Sequence, residues 1–328
     1  MTTRVRAGIA GTGSYVPERV VPNSWFAERL DTSNEWIVQR TGIERRRYAA
    51  DDQATSDLCI LAARRALESA NLRGEDIDLV VVGTVSPDHH LPACAVLVQK
   101  AIGAKGAAFD VVAACTGFLA ALATAEAFVA SGRAQRVLAI GAETLSRHID
   151  LTDRTSSILF GDGAGAVIVT AHDECRQGEI LRCTLGADGD GYRFIHMVSG
   201  GSRSPPTHQS IDAKEHAIRV QGREVYRFAV QRMVDCIQEM MEGYTYDDLC
   251  LLVPHQVNRR IIDASLERLG WTDEKVMVNI QEYGNTSAAS VPIALDEAVR
   301  AGRAKKGQLV VLVAFGAGLT WGGSLLRW

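Results

Sequence analysis

Hydrophobic and polar positions follow two alternating patterns along the chain, and together they predict an α/β protein. Residues 56–70 place apolar side chains three and four positions apart, as an amphipathic helix requires. Residues 77–82 form a continuous apolar run, which is typical of a strand buried on both faces. Further strands are predicted at 107–112, 137–141, 164–170, 249–253, 276–280, 309–314 and 324–328, and further helices at 224–241 and 291–301. This alternation predicts mainly parallel sheets with helices on their faces.

A repeat relates the two halves of the sequence. Residues 115–133 align without a gap with residues 285–303, at an offset of 285 − 115 = 170 positions. The copies differ where each apolar helix should begin, because one carries the thiol of Cys115 and the other the carboxamide of Asn285. If the halves pack about a pseudo-twofold axis, these side chains should face each other near that axis. The first helix should end at Gly132, since glycine is a common C-terminal cap.

Length and composition favour two similar halves in an ordinary globular protein. A chain of 328 residues is long for one core, and we divide it into an N-terminal half, 1–175, and a C-terminal half, 176–328. Charged residues make up 23% of the chain, and its net charge of −4 provides no overall basic field for nucleic acid. Residues 186–213 are rich in Gly, Ser, Pro and charge, and they predict a long surface loop of the kind that is often functional.

The sequence has no sign of export, membrane insertion or metal binding. Its start has no apolar segment of the signal-peptide kind, and the longest nearly uncharged run, 110–126, is shorter than the roughly 20 residues of a membrane span. Seven scattered cysteines without a C-x-x-C pair argue against a disulfide framework and a zinc ribbon. Neither glycine-rich segment, 11–13 or 161–165, opens a predicted helix. We therefore expect a cytoplasmic protein with no cofactor, metal, nucleic acid or membrane partner.

Cys115 is the first candidate for chemistry. It follows the predicted strand at 107–112 and begins the apolar helix. A thiol at a helix N-terminus experiences the positive end of the helix dipole, which favours the thiolate and hence nucleophilic chemistry. The alternative is a small buried hydrophobic residue, which describes most cysteines.

Three further segments place polar or glycine residues after predicted strands. His255 follows the strand at 249–253, where a base or hydrogen-bond donor would suit an α/β site, although a structural histidine fits equally well. Asn285 lies in a Gly-Asn turn, and only its alignment with Cys115 favours a functional role over an ordinary turn residue. The glycine-rich turn at 315–322 could present backbone N–H groups as an oxyanion hole or form a simple hairpin.

Seven motifs together resemble those of the β-ketoacyl-acyl-carrier-protein synthases III, within the thiolase-like condensing enzymes. The motifs occur in family order, and the resemblance extends over nearly the whole chain. The motifs are residues 31–37, 40–43, 113–118, 160–164, 255–258, 283–287 and 315–322. The resemblance implies a thiolase-like, five-layered αβαβα fold, built from two pseudo-twofold related halves, and a homodimer.

The resemblance also implies a reaction and roles for three side chains. An acyl-coenzyme A primer condenses with malonyl-acyl carrier protein, with loss of carbon dioxide, to initiate fatty acid biosynthesis. Cys115 would be the acylated nucleophile, while His255 and Asn285 would activate the malonyl thioester. The backbone N–H groups of Cys115 and Ala317 match the oxyanion hole, although Ala317 replaces a glycine that is common in the family.

Other positions match the family's substrate channel and docking surface. Leu91 stands where phenylalanine often shapes the acyl pocket across the dimer, so the length of the primer stays open. An acidic carrier protein requires a local positive patch on a chain of net charge −4. The substrate and coenzyme A candidates are Trp36, Arg40, Arg154, Asn258, Leu91 and Phe315, and the docking candidates are Arg260, Arg227 and Arg268.

Two other functions fit the same residues. One is a related condensing enzyme or acyltransferase of secondary metabolism, of quinolone or polyketide type, because fold and nucleophile do not name the acceptor. The other is a non-catalytic partner subunit of an active paralogue. The presence of Cys115, His255 and Asn285 together argues against the non-catalytic subunit.

Overall fold

The computed structural model describes residues 5–328. Its strands are β1 (Ala7–Tyr15), β2 (Arg19–Pro22), β3 (Arg45–Tyr48), β4 (Leu79–Gly83), β5 (Ala107–Val111), β6 (Val137–Thr144), β7 (Asp162–Ala171), β8 (Glu179–Ala187), β9 (Ile195–His196), β10 (Arg219–Val220), β11 (Leu249–Pro254), β12 (Leu309–Gly316) and β13 (Thr320–Arg327). Its helices are α1 (Asn23–Ala27), α2 (Asn34–Thr41), α3 (Thr55–Ala70), α4 (Cys94–Ile102), α5 (Gly117–Ala130), α6 (His172–Cys175), α7 (His208–Asp212), α8 (Gly222–Met240), α9 (Arg259–Leu269), α10 (Ile280–Tyr283) and α11 (Ser290–Arg300). Short 3₁₀ turns occupy Gly74–Asp76, Ala114–Thr116, Leu145–Arg147, Gly189–Gly191, Tyr246–Asp248 and Ser287–Ala289.

The main sheet is mixed, so the prediction of mainly parallel sheets is wrong. Its strand order is β11-β12-β13-β8-β1-β7-β6-β4-β5. Pairing is parallel between β4 and both β5 and β6 and between β11 and β12, while β1, β7, β8 and β13 pair antiparallel with their neighbours. Only residues 317–319 connect β12 to β13, and a parallel crossover needs a dozen residues or more. A hairpin is therefore the only available connection.

The nine strands of the main sheet divide into two halves between β8 and β1, which share only the residue pair Gly8 and Glu179, and the two halves pack on opposite sides of α5 and α11, so that the core has five layers. In β4, Leu79 and Val81 pack in one cluster with α5 and α11, whereas Val80 and Val82 pack in another with α3 and α4. In the second half, alternate residues of β12 face either the same central helices or the outer helices α8 and α9. The order is α3/α4, sheet, α5/α11, sheet, α8/α9, which confirms the predicted αβαβα arrangement. The boundary between residues 175 and 176 stays a prediction.

The two halves are related as predicted, but the ungapped repeat is wrong at the start of the central helices. Helices α5 and α11 both end before a left-handed glycine, Gly132 (φ 71°) and Gly302 (φ 69°), at the offset of 302 − 132 = 170. Both also follow a 3₁₀ turn whose first residue is left-handed, Ala114 (φ 48°) and Ser287 (φ 49°), at an offset of 287 − 114 = 173. Helix α5 has 14 residues and α11 has 11, so Asn285 precedes the turn that corresponds to that of Cys115.

Two further sequence predictions differ from the structure. Residues 276–280 form no strand, because Val276 makes only an isolated bridge to Leu252 and Ile280 already begins α10. The predicted loop at 186–213 contains the end of β8, the short strand β9 and the helix α7. Within residues 5–328, no helix is both long and apolar enough to cross a membrane.

Candidate active site

Cys115 lies in the 3₁₀ turn that joins β5 to α5, at the N-terminal end of that helix. The end of β12 packs directly on its backbone, because a Cβ atom at Gly316 would lie 2.8 Å from the nitrogen of Cys115. This close approach explains why glycine occupies Gly316. Cys115 also lines a cavity of about 170 Å³ whose other walls are mostly apolar. The apolar wall residues include Val85, Leu145, Phe160, Ile195, Met197 and Ile218.

The helix position of Cys115 does not lower the pKa of its thiol. Burial raises that pKa to about 12, the hydroxyl of Ser287 opposes the increase, and the carboxylate of Glu143 adds to it. The prediction that the helix dipole stabilises the Cys115 thiolate is therefore wrong, since desolvation of the sulfur outweighs the effect of the dipole. The thiol is protonated at neutral pH and needs a group that accepts its proton.

His255 is fully buried at the end of β11. Its backbone N–H donates to the carbonyl of Val313 (2.8 Å), its Nδ1 lies 2.6 Å from Oγ of Ser290, and its ring packs edge-on against Phe315. Nε2 has no hydrogen-bond partner among the described residues. Burial lowers the pKa of His255 to about 3, so the ring is neutral at physiological pH and has Nε2 available.

Asn285 is held by its backbone and presents one end of its amide. Its N–H donates to the carbonyl of Leu159 (2.8 Å), and its carbonyl accepts from the N–H of Gly161 (3.0 Å). Side-chain Oδ1 accepts from the N–H of Ser287 (2.8 Å), which leaves Nδ2 to donate to a ligand. The preceding Gly284 has φ 63°, and a Cβ atom there would lie 2.7 Å from the Leu159 carbonyl oxygen. The Gly-Asn pair is thus required by local geometry.

The segment 285–290 brings the three candidate side chains together. Ser287 lines the same cavity as Cys115 and binds the side chain of Asn285, and Ser290 contacts the ring of His255. Neither serine was predicted from the sequence, although Ser287 and Ser290 both lie between the Gly-Asn pair and the predicted helix at 291–301, where hydroxyl groups commonly bind neighbouring polar atoms.

Two buried charged residues near the site had no signal in the sequence. Glu143 in β6 is fully buried, and its Oε1 lies 3.1 Å from Oγ of Ser287. Arg46 in β3 is also fully buried, packs on the ring of Phe26 and donates to the carbonyl of Ile158 (2.5 Å). Burial lowers the pKa of Arg46 to about 10. Arg46 thereby supports the chain segment that binds the backbone of Asn285.

Ala317 lies in the turn between β12 and β13 and lines the same cavity as Cys115. The turn is attached to the turn containing Cys115 by hydroxyl groups. Oγ1 of Thr320 lies 3.0 Å from the carbonyl of Ala317 and 2.9 Å from Oγ1 of Thr116. The two predicted oxyanion donors, the N–H groups of Cys115 and Ala317, therefore belong to directly connected turns.

Four of the predicted coenzyme A residues form one surface cluster. The guanidinium carbons of Arg40 and Arg154 lie 5.7 Å and 5.3 Å from the ring centroid of Trp36. Nδ2 of Asn258 donates to the carbonyl of Arg40 (3.0 Å), and its Oδ1 caps the start of α9. Two guanidinium groups against one indole, next to the loop that follows His255, form a site suited to an anionic, aromatic ligand.

The other two predicted substrate residues lie elsewhere. Phe315 is buried against His255 and does not line the cavity beside Cys115. Leu91 is 87% exposed on the loop before α4. Leu91 therefore reaches an acyl pocket only if a second subunit supplies that pocket.

The docking candidates lie on two neighbouring helices. Arg227 on α8 and Arg260 on α9 are exposed, and Arg268 on α9 donates to Gln231 (3.1 Å) on α8. Arg259, beside Arg260, is paired with Asp263 and Asp273 at 2.6 Å each, so it adds little free positive charge. The three candidates thus share one outer face of the C-terminal half.

Comparison with known proteins identifies the family. Residues 109–189 match the family described as 3-oxoacyl-[acyl-carrier-protein (ACP)] synthase III, and residues 240–328 match its C-terminal part. The β-ketoacyl-[acyl-carrier-protein] synthase III of Caldanaerobacter subterraneus subsp. tengcongensis is 50% identical over 331 residues, covering 100% of this chain and 99% of the relative. The chain belongs to the 3-oxoacyl-acyl-carrier-protein synthase III family.

Solved structures of the synthase III family have the same fold. The β-ketoacyl-[acyl-carrier-protein] synthase III of Thermus thermophilus is 45% identical with a TM-score of 0.90, over 98% of this chain and 99% of that chain. The priming β-ketosynthase of the R1128 polyketide pathway is 39% identical with a TM-score of 0.90, over 100% of this chain and 98% of that chain. This synthase III is therefore an acyltransferase with a thiolase-like fold.

Proposed function

We propose that Cys115, His255 and Asn285 carry out the condensation in this synthase III. The reaction joins an acyl-coenzyme A primer to malonyl-acyl carrier protein and initiates fatty acid synthesis. The observation that supports these roles is their common attachment to segment 285–290, beside an apolar cavity that contains the sulfur.

Acylation comes first. The neutral ring of His255 accepts the proton of the Cys115 thiol while the sulfur attacks the thioester carbonyl of the primer, so that no separate pair of thiolate and imidazolium has to form. The N–H groups of Cys115 and Ala317 stabilise the tetrahedral oxyanion. The thiolate of coenzyme A then leaves and takes the proton that His255 accepted, so the ring is neutral again. The primer's acyl chain then occupies the apolar cavity of about 170 Å³.

Condensation follows with malonyl-acyl carrier protein in the same site. Nε2–H of His255 and Nδ2–H of Asn285 donate to the thioester carbonyl, so negative charge that develops there as carbon dioxide leaves is stabilised. The carbon that lost carbon dioxide attacks the acyl carbonyl on Cys115. The bond to sulfur breaks, and the thiol is restored when it takes up a proton.

Ser290 makes both uses of His255 compatible. A hydroxyl group both donates and accepts hydrogen bonds, so Oγ accepts from Nδ1–H when Nε2 is the base and donates to Nδ1 when Nε2 carries the proton. Fixed, neutral donors suit decarboxylation because they need no rearrangement as charge develops.

The nucleophile is tested by trapping the acyl-enzyme. The protein is incubated with acyl-coenzyme A alone, and the acylated peptide is identified by mass spectrometry. We expect one acyl group, on Cys115, and none in a Cys115→Ser variant exposed to the same primer for the same time. Acylation of the similarly half-buried Cys183 or Cys250 instead would remove Cys115 from the mechanism.

The synthase acts as a homodimer in this proposal. Strand β5 lies at one edge of the main sheet, and the apolar side chains next to it, Val112 (79% exposed) and Leu91 (87% exposed), are uncovered in the single chain. Unpaired sheet edges and exposed apolar side chains favour association. Sedimentation of the native chain and of Val112→Asp tests this, with a dimer expected only for the native chain and a native monomer contradicting it.

Carrier protein docks, in this proposal, on the surface of α8 and α9 that carries the exposed side chains of Arg227, Arg260 and Arg268, which would supply local positive charge on a protein of net charge −4. Acyl-coenzyme A enters past Trp36, Arg40, Arg154 and Asn258.

The synthase works in the cytoplasm, which agrees with seven unpaired cysteines.

Priming of a polyketide pathway is the second candidate, because the likeness to the R1128 priming ketosynthase extends over the whole chain. A panel of acyl-coenzyme A primers of different length and branching, each with one malonyl-acyl carrier protein from fatty acid synthesis and one from a polyketide pathway, separates the two. Preference for the fatty acid carrier supports initiation of fatty acid synthesis, and preference for the polyketide carrier supports priming.

A further inference from the structure

We propose that Glu143 is a positioning residue that controls the ionisation of Cys115 through the hydroxyl of Ser287. The inference rests on the proposed role of Cys115 as nucleophile and adds a residue that the mechanism above does not use. Glu143 does not touch a reacting atom, so its effect must pass through Ser287.

The two carboxylate oxygens of Glu143 have different surroundings. Oε2 accepts from Oγ of Ser86 (2.5 Å), the N–H of Val85 (3.1 Å) and Oγ1 of Thr84 (3.2 Å). Oε1 has one partner among the described residues, Oγ of Ser287 (3.1 Å). The side chain is fully buried, and three donors fix one oxygen, so the carboxylate cannot turn away from Ser287.

Ser287 has one hydroxyl proton and two acceptors that compete for it. One acceptor is Oε1 of Glu143, and the other is the sulfur of Cys115, which lines the same cavity as Ser287 and whose pKa the Ser287 hydroxyl lowers against the larger effect of burial. The backbone of Ser287 is separately fixed, because its N–H donates to Asn285. Rotation of the Ser287 hydroxyl alone therefore decides which of the two acceptors receives its hydrogen bond.

When Glu143 is ionised, the Ser287 hydroxyl donates its hydrogen bond to the carboxylate, because a hydrogen bond to a charged carboxylate is stronger than one to a neutral thiol. The lone pairs of the Ser287 oxygen then face Cys115, which keeps the thiol protonated until His255 takes its proton. A neutral group at position 143 can instead donate a hydrogen bond to the Ser287 oxygen. The Ser287 hydroxyl then turns its O–H towards Cys115 and donates to the thiolate. Burial raises the pKa of Glu143 to about 7, so both arrangements are accessible near neutral pH.

The other polar and titratable groups near Glu143 and Cys115 do not link these two residues. The carboxylate of Glu143 contacts hydroxyl groups and one peptide N–H from the residues after β4, and Ser287 from the opposite half. The titratable side chains that share the cavity with Cys115 are His148 and His196, and His255 lies at the end of β11. None of these replaces Ser287 as the link to Glu143.

The test measures the ionisation of the thiol directly. The rate at which iodoacetamide alkylates Cys115 is followed by mass spectrometry of its peptide between about pH 6 and pH 10, in the native chain, Glu143→Gln, Ser287→Ala and the double variant. In Glu143→Gln the amide oxygen keeps the three donors and the amide N–H donates to Ser287. Asp162→Asn is the matched control, since Asp162 is a second fully buried carboxylate in the adjacent strand but binds Ser146 and the backbone of Ala49 instead.

We expect Glu143→Gln to lower the pKa of Cys115 by about one unit. Since that pKa lies above the measured range, the shift appears as an about tenfold higher alkylation rate between about pH 8 and pH 10, where Glu143 is ionised in the native chain, and Asp162→Asn should leave the rate unchanged. In the Ser287→Ala background, the shift caused by Glu143→Gln should fall to less than half, because the linking hydroxyl is gone. A shift that persists at half or more of its size would show that the charge acts through space, and no shift in Glu143→Gln would show that it does not act; either overturns the inference. Alkylation requires no turnover, so this result is independent of the acyl-trapping experiment that tests Cys115 as nucleophile.

Discussion

Ser290 engages Nδ1 of His255, so that Nε2 is the imidazole nitrogen left for chemistry. Oγ of Ser290 lies 2.6 Å from Nδ1, and Nε2 has no partner among the described residues. The ring is fully buried, so the hydroxyl fixes its orientation and can pair with either neutral tautomer. Ser290 is also the first residue of α11 and thereby connects the central helix to the chemistry.

Removal of this hydroxyl should therefore reduce turnover without abolishing it. We expect Ser290→Ala to lower kcat for condensation about tenfold, because an unsatisfied buried nitrogen costs about 1–3 kcal/mol. Initial rates with saturating primer measure the effect. Ser265→Ala is the control, because Ser265 is also fully buried but binds only the backbone of its own helix, at Ile261. Equal losses in both variants would indicate a general packing defect and contradict the role of Ser290.

The buried imidazole should also affect the pH dependence of stability. The folded protein keeps His255 neutral down to about pH 3, whereas the unfolded chain binds a proton near pH 6.5. The unfolded state thus binds more protons in this window, and the free energy of unfolding contributed by His255 falls as the pH is lowered, by up to about 1.4 kcal/mol per pH unit. Glu143, whose pKa is raised to about 7 from 4.5, acts in the opposite sense between those values.

A neutral replacement isolates the contribution of His255. Urea unfolding at about pH 5 and about pH 7.5 should show that acidification destabilises the native chain more than His255→Gln. Because Glu143 is present in both proteins, its opposing effect cancels in the comparison. An equal change in the two proteins would mean that His255 is not held neutral by the fold.

Charge reversal on α9 should separate the two substrates. We expect Arg260→Glu to raise KM for malonyl-acyl carrier protein about tenfold, with an effect that weakens at high salt, and to leave acylation by acyl-coenzyme A within about twofold of the native rate. Glutamate near the start of a helix is favourable, so the fold should tolerate the change. Arg64→Glu, on an exposed position of the outer helix α3, is the control. Loss of both activities would place Arg260 outside a docking surface.

The sequence alone predicted many of the periodic elements well. The helix at 55–70 and the buried strands β4 and β12 have clear periodicity or continuous apolar runs. The segment 276–280 looks similar in sequence but makes only one isolated bridge, between Val276 and Leu252, a difference that only neighbouring chain segments decide. Strands β7 and β13 were predicted as strands but not as antiparallel ones, because apolar content does not report strand direction.

The site's electrostatics could not be predicted in the same way. Glu143 and Ser287 are 144 positions apart in the sequence and meet only through folding. The pKa of Cys115 depends on how deeply the sulfur is buried, which competes with the helix position that the sequence shows. The repeat placed Cys115 opposite Asn285, but the different lengths of α5 and α11 shift the correspondence by 173 − 170 = 3 positions.

The most direct test of the mechanism is the division of the reaction in Asn285→Ala. Its mass after incubation with acyl-coenzyme A and its release of carbon dioxide from labelled malonyl-acyl carrier protein are measured on the same preparation. We expect normal acylation of Cys115 but a decrease of about 100- to 1,000-fold in carbon dioxide release, the usual effect of removing one oxyanion donor. Carbon dioxide release at the native rate would contradict the assignment of Asn285, and with it the convergence of thiol, imidazole and amide on one reaction centre.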